Sequence, residues 1–137
     1  MDFARKLEPK SRIENASVYD DVLGIFKEKF DAIVSLEVVE HLFDPKKFVR
    51  QMKNCLKPGG IFVLSTPYHG YLKNLSIAFL GKFDSHVSPL WDGGHIKFWS
   101  KKTLTKLLND EGFHDIQFEG AGRFSFFWKS MILASKI

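Results

Sequence analysis

The sequence is poor in cysteine and has no long apolar run. Cys55 is the one cysteine among 137 residues, which excludes an intrachain disulfide and favours a reducing, cytoplasmic environment. No stretch of about 18 apolar residues occurs, so the sequence predicts no membrane-spanning helix. Repeats, low-complexity tracts and linkers are also missing. The length then favours one domain over residues 1–137.

The sequence also lacks a glycine-rich turn between a strand and a helix, the usual cradle for a dinucleotide or adenosyl cofactor. Its one G-x-G motif is Gly120-Ala121-Gly122, and an aromatic segment follows it instead of a helix. This motif therefore predicts a hairpin turn rather than a phosphate loop.

Positive charge and phenylalanine are in excess. The net charge is +4 and there are 14 Phe. A mild positive excess is compatible with an anionic ligand, an anionic membrane surface or nucleic acid. The basic residues are scattered and no base-stacking motif stands out, so nucleic acid is an unlikely partner.

Hydrophobic periodicity predicts an α/β domain. "DAIVS" and "IFVLSTP" are apolar segments typical of buried strands. The helix between them has Asp44 as its N-cap and stops at Pro58-Gly59-Gly60. Strand, helix and strand in this order predict a parallel βαβ unit.

The flanking segments predict further elements. A helix over residues 3–7 would end at Pro9, and "RIENAS" predicts a short third parallel strand. A second helix would begin at the N-cap Ser100 and stop at Gly112. The last two segments predict an antiparallel pair joined by a short turn.

The stretch "SLEVVEHLFDP" contains Glu37, Glu40 and His41 directly after a predicted buried strand. Residues three and four apart share a face of a helical turn, so these side chains can converge. Three interpretations stay open: a solvated turn, a divalent-metal site that includes His95, or a general base at His41. If they are metal ligands, we expect the carboxylates to line one open surface cleft at the carboxyl ends of the strands.

The ordered set in "FDAIVSLEVVEHLFDPKKFVRQMKNCLKPGGIFVLSTP" resembles the second half of a class I S-adenosylmethionine-dependent methyltransferase. The subgroup it resembles most is the O-methyltransferases of ubiquinone biosynthesis. The resemblance implies an incomplete Rossmann-like α/β sheet, mostly parallel with a C-terminal antiparallel hairpin. It further implies a single truncated domain without the family's first strand, glycine loop and helix.

The resemblance also implies site residues. Ser17 and Val18 match the position near the adenine of S-adenosylmethionine, and Ser35 and Leu36 match the position near its methionine part. A divalent metal such as Mg²⁺ would be held by the set Glu37, Glu40, His41 and His95. His41 is the catalytic candidate.

The expected activity is methyl transfer from S-adenosylmethionine to an oxygen of a small phenolic or lipid-like acceptor, or acceptor binding for that reaction. The alternative is a non-catalytic remnant of the fold that binds a partner. Without a glycine loop, we expect weak or absent cofactor binding by this chain alone. The open sheet edge predicts a homodimer, and the apolar, lysine-edged insertion over residues 68–91 predicts a lid and peripheral contact with a membrane surface.

Overall fold

The computed structural model describes residues 10–137, so the predicted helix over residues 3–7 lies outside the described part. A four-stranded sheet in the order β1-β2-β4-β3 is accompanied by five helices within these residues. The strands are β1 (Phe30–Leu36), β2 (Leu56–Pro67), β3 (His114–Ala121) and β4 (Ser130–Lys136). The helices are α1 (Val22–Phe26), α2 (Pro45–Cys55), α3 (Tyr71–Phe79), α4 (Phe83–Val87) and α5 (Lys101–Asp110).

The sheet combines one parallel ladder with two antiparallel ladders. β1 and β2 run parallel, with Leu36 opposite Ser65, and α2 forms the crossover between them. β4 lies antiparallel to both β2 and β3. This arrangement confirms the predicted α/β, Rossmann-like sheet with its C-terminal antiparallel pair, but the sheet is mixed rather than mostly parallel.

Local chemistry fixes the start of α2 where the sequence predicts it, whereas the helix already ends at Cys55 and its predicted stop, Pro58-Gly59-Gly60, lies within β2. The Asp44 carboxylate accepts a 2.9 Å hydrogen bond from the Lys47 amide, and Pro45 occupies the first turn. The carboxylate satisfies one of the free N–H groups at the helix start, and proline has no N–H group to satisfy. The buried face of the helix consists of Phe48, Val49, Met52 and Cys55.

The core lies on one face of the sheet, between the sheet and helices α2 and α5. Phe62 and Leu64 of β2 and Leu133 of β4 are fully buried there. The neighbouring residues in the strands point to the other face, since side chains alternate along a strand. On that face Val34 and Leu36 of the edge strand β1 are each 62% exposed.

Two further sequence predictions are wrong. "RIENAS" forms no strand: residues 12–17 are extended without a ladder, and Arg12 instead bonds Glu14 and the Ile25 carbonyl oxygen. The last two strands are joined by the eight residues 122–129 and not by a short turn, because β4 begins only at Ser130. The aromatic residues before Ser130 belong to this connection.

No helix within residues 10–137 has the length and apolar character needed to cross a bilayer.

Candidate active site at the carboxyl ends of the parallel strands

The candidate site begins where β1 ends beside β2. Glu37, the first residue after β1, has a positive φ of 52°, a conformation that non-glycine residues seldom adopt without compensation. Its amide donates to the Ser65 carbonyl oxygen at 3.1 Å. Its carboxylate atom Oε1 accepts from Ser65 Oγ at 2.7 Å and from Ser130 Oγ at 2.8 Å. These bonds hold the chain reversal after β1 in place.

Glu40 lies in a short 3₁₀ turn, Val39–His41, and its side chain is directed inward. It is only 1% exposed, and its Oε2 accepts a 2.9 Å hydrogen bond from Thr66 Oγ1. The second oxygen, Oε1, is buried and has no hydrogen-bond partner among residues 10–137. A buried carboxylate oxygen without a donor is unfavourable unless a cation or proton satisfies it.

His41 faces this unpartnered oxygen. Its Nδ1 lies 3.2 Å from the Gly94 carbonyl oxygen, and because a carbonyl only accepts, the hydrogen bond places the ring proton on Nδ1. Nε2 then carries the free lone pair. That atom lies 3.9 Å from Glu40 Oε1, so the lone pair and the carboxylate oxygen share one small space.

His95 completes the cluster from a distant part of the sequence. Its ring lies 4.9 Å from that of His41, in an edge-to-face arrangement. One ligand atom from each of Glu40, His41 and His95 lies within 4.8 Å of the others. The Glu40 carbonyl oxygen accepts from the amides of Ile96 and Lys97 at 3.0 Å each, which fixes the His95 loop on the 3₁₀ turn.

The predicted metal set is therefore only partly brought together. Glu40, His41 and His95 converge, whereas Glu37 lies outside that group and bonds the serine hydroxyls. The expectation that the carboxylates line an open cleft is wrong for Glu40, since Thr66 and the His95 loop cover it. Metal binding itself stays a prediction.

The residues predicted to contact the cofactor occupy two places. Ser35 and Leu36 are the last residues of β1, at the edge where ligands of open α/β sheets bind. Ser17 lies in a turn closed by Asp20, and Val18 packs against the core. Cofactor contact by these four residues stays a prediction.

Sequence reasoning missed the polar partners supplied by the end of β2. Thr66 is fully buried and reaches Glu40, and Ser65 reaches Glu37. The available signal was "LSTP", in which the strand changes from an apolar side chain to two hydroxyl side chains. The sequence alone offers no pairing for those hydroxyls, because the pairing depends on strand register.

A small cavity of about 290 Å³ is largely apolar, and two of its lining residues, His69 and His86, lie close enough to His95 to interact with it electrostatically. Its lining includes His69, His86, Phe83 and Phe98. Burial, with the nearby charges of Lys73 and His86, lowers the pKa of His69 to about 4. Both His69 and the adjacent His86, whose pKa burial also lowers, are therefore neutral at pH 7.

Comparison with known proteins supplies the family. A family model described as a methyltransferase domain matches residues 3–117. The ubiquinone biosynthesis O-methyltransferase of Dinoroseobacter shibae is 36% identical over 95 residues, which is 68% of this chain and 38% of that protein. The mitochondrial enzyme of the same name from Dictyostelium discoideum is 43% identical over 69 residues, 47% of this chain and 22% of that protein.

Solved structures show the same fold. An O-methyltransferase family protein from Burkholderia thailandensis superposes with a TM-score of 0.68 at 12% identity, over 98% of this chain and 38% of that one. The methyltransferase domain of a bacterial Hen1 gives a TM-score of 0.61 at 17% identity, over 92% of this chain and 61% of that one. The chain spans well under half the length of the curated relatives described above. It belongs to the class I S-adenosylmethionine-dependent methyltransferase family and is similar to the ubiquinone-biosynthesis O-methyltransferases.

Proposed function

We propose that this chain takes part in O-methyl transfer from S-adenosylmethionine to a phenolic acceptor, with its acceptor side built around Glu40, His41 and His95. The observation that carries the proposal is the convergence of these three side chains within 4.8 Å at the carboxyl ends of two parallel strands. Family membership supplies the type of reaction, and this cluster supplies groups able to activate a hydroxyl.

The proposed reaction balances with one base. The acceptor O–H loses its proton to His41 Nε2, whose lone pair is free because Nδ1–H is bonded to Gly94. The acceptor oxygen then forms a bond to the methyl carbon while the S–CH₃ bond breaks. The electron pair of the broken S–CH₃ bond stays on sulfur, which turns the sulfonium into a neutral thioether. The buried Glu40 carboxylate stabilises the imidazolium that forms 3.9 Å away.

The same residues fit a divalent cation. The donor set is one carboxylate oxygen and two imidazoles, and the buried Glu40 Oε1 has no other partner among residues 10–137. Such ligands suit Mg²⁺, Mn²⁺, Fe²⁺ or Zn²⁺. When bound, the ion would lower the pKa of an acceptor hydroxyl. Glu40, His41 and His95 would hold it, and Thr66 would orient Glu40 from behind.

The acceptor that we propose is aromatic with an apolar tail. The 290 Å³ cavity has Phe83 and Phe98 in its lining, and its two histidines, which interact electrostatically with His95, are uncharged at neutral pH. Helix α3, which borders this cavity, exposes apolar side chains, with Phe79 88% and Leu75 53% exposed. An apolar tail, or a membrane surface that carries one, would cover them.

The cofactor would lie along the end of β1, at Ser35 and Leu36, with Ser17 and Val18 near its adenine. Ser35 Oγ is buried and has no hydrogen-bond partner among residues 10–137. With no glycine-rich loop in the sequence, we expect calorimetry on this chain to show weak or no S-adenosylmethionine binding.

Transfer of a deuterated methyl group from S-adenosylmethionine, supplied at a concentration high enough to offset its weak binding and followed by mass spectrometry, tests the proposal. The acceptor is a phenol carrying a short prenyl chain, and the variants are Glu40→Gln and His41→Gln. We expect both to lower the methylation rate at least about a hundredfold, the usual scale for losing a positioned base. The matched control is His114→Gln, an exposed histidine on β3 away from the cluster. Wild-type rates in the Glu40 and His41 variants would contradict the proposal.

Metal binding is measured separately, by the change in the electron paramagnetic resonance of Mn²⁺ on binding. If Glu40, His41 and His95 hold the ion, wild type and His114→Gln remove Mn²⁺ from solution and Glu40→Gln does not. If His41 acts as a base alone, no variant differs and a chelator leaves the methylation rate unchanged.

A further inference from the structure

A second cavity, of about 540 Å³, opens between helices α3 and α4 and the connection from β3 to β4. Its lining is unusual in charge, because it holds several cationic side chains and no carboxylate. The cations and hydroxyls in that lining are Lys73, Lys82, Arg123, Lys129, Ser76 and Ser85. Such a lining favours a negatively charged ligand.

Lys73 is the buried member of this set. It is 8% exposed, and its Nζ donates to the Tyr68 carbonyl oxygen at 2.6 Å and to the Trp128 carbonyl oxygen at 3.3 Å. A lysine ammonium has three donors, so one remains for a ligand. The two carbonyl oxygens hold the ammonium in place but supply no full negative charge.

The four cations have no anionic partner in the described part of the chain. Ion pairs among residues 10–137 involve other side chains, such as Arg50 with Glu111 and Lys106 with Asp110. Burial, and next the charge of Arg123, lower the pKa of Lys73. Both effects would be offset by an anion in the cavity.

A phosphate group matches this lining better than a carboxylate does. A phosphate monoester carries a charge of about −1.5 to −2 at pH 7 and three strong acceptor oxygens. Arg123 can supply a planar pair of donors, while Lys73 and Lys129 act as point charges. The hydroxyls of Ser76 and Ser85 donate to the Leu72 and Lys82 carbonyl oxygens at 2.9 and 3.0 Å, so the cations supply the donors for the phosphate.

The basic cavity adjoins the apolar cavity. Ile77 and His86 belong to the linings of both. A ligand can therefore place a phosphate among the cations and an aromatic ring beside Phe98. The two cavities together favour a molecule with one strongly anionic end and one aromatic end.

We propose that this double cavity binds an aromatic phosphate ester, with the phosphate on Lys73, Arg123 and Lys129 and the ring beside Phe98. Its assignment as the methyl acceptor rests on the proposed function, whereas the binding site itself does not. As the methyl acceptor, the ligand would carry a free phenolic hydroxyl in addition to the phosphate ester.

Calorimetric titration of the full 137-residue chain, without S-adenosylmethionine, tests the site. The probes are phenyl phosphate, phenol and inorganic phosphate. We expect phenyl phosphate to bind about tenfold more tightly than either of the others, since each of its halves contributes contacts. Phenol binding as tightly as phenyl phosphate would overturn the proposal, because the cations would then contribute nothing.

Two variants separate the halves of the cavity. Arg123→Gln/Lys129→Gln should weaken phenyl phosphate binding about tenfold or more, because charge-assisted bonds are lost. Phe98→Ala should weaken phenyl phosphate but leave inorganic phosphate unchanged. The charge-matched control is Lys46→Gln/Lys102→Gln, two exposed lysines outside the lining. Equal weakening by this control would show a diffuse charge effect and reject the site.

The contribution of Lys73 is tested by Lys73→Met, which should also weaken phenyl phosphate binding. If this buried substitution prevents folding, the surface variant Arg123→Gln/Lys129→Gln remains decisive. Vesicles of phosphatidylcholine with and without phosphatidic acid distinguish the source of the phosphate. Binding to the anionic vesicles without binding to phenyl phosphate would identify a membrane surface and overturn the proposal.

Methyl transfer is assayed independently, so retained phenyl phosphate binding with no transfer would reject the function and not the site.

Discussion

Thr66 Oγ1 donates a 2.9 Å hydrogen bond to Glu40 Oε2 across 26 residues of sequence, and both side chains are fully buried. The bond ties the end of β2 to the 3₁₀ turn after β1. It also leaves Glu40 Oε1 free to face His41 Nε2. The orientation of the candidate catalytic carboxylate therefore depends on a residue that takes no part in the proposed chemistry.

Replacing Thr66 with valine keeps the side-chain shape and removes that hydrogen bond. We expect a loss of about 1–3 kcal/mol in the free energy of unfolding, because a buried carboxylate oxygen is left without its donor. Urea denaturation measures the loss. Thr105→Val on α5, where no side-chain hydrogen bond is broken, is the matched control and should change stability little. Equal stability of the two variants would contradict the role of Thr66.

Stability should fall in mild acid because of His69. Its pKa is about 4 in the folded protein and about 6.5 when unfolded. The unfolded chain therefore binds the proton more readily, so the contribution is complete above pH 6.5 and is lost as the pH falls from 6.5 towards 4.

The full linkage value of this shift is roughly 3 kcal/mol, and solvent screening near the cavity mouth reduces the expected loss to about 1–2 kcal/mol. Thermal unfolding between pH 7 and pH 4 measures it. His69→Gln should flatten the slope across this window, whereas His114→Gln at an exposed site should not. A slope unchanged by His69→Gln would refute the assignment.

Two glycines with positive φ offer a matched pair. Gly59 has φ 76° and open space where a Cβ would lie, whereas Gly112 has φ 81° and the Lys53 ammonium at that place. Gly59→Ala should cost about 1–2 kcal/mol from backbone strain alone. Gly112→Ala should cost about 1 kcal/mol more, because it displaces Lys53 from its 2.8 Å bond to the Glu111 carbonyl oxygen. Denaturant midpoints compare the two variants, and equal costs would contradict the role of Lys53.

The edge strand β1 should mediate association between two copies of the chain. It pairs with β2 on one side only in the described sheet, and Val34 and Leu36 are each 62% exposed. We expect light scattering to show a dimer at high concentration, since an open edge with apolar neighbours favours strand pairing. Val34→Lys should shift the equilibrium towards monomer, as lysine opposes edge pairing. A wild-type chain that stays monomeric would refute this expectation.

Much of the fold was predictable from local sequence. Asp44 and Pro45 mark the start of α2, and Ser100 marks the start of α5 through a capping box with Thr103. These signals depend on groups a few residues apart, so no tertiary information is needed. The strand predicted at residues 12–17 failed for the opposite reason, because an extended segment becomes a strand only when a partner lies beside it.

The sequence by itself determined that carboxylates and an imidazole follow a buried strand, since that strand's apolar run and Glu37, Glu40 and His41 are adjacent in the chain. It did not determine which of them share a site. Tertiary structure directed Glu37 to the serine hydroxyls and Glu40 into the interior, and it brought His95 from 54 positions beyond His41 to a ring distance of 4.9 Å. The physical reason is that strand register and the docking of a distant loop fix these contacts, and both depend on packing between residues far apart in sequence.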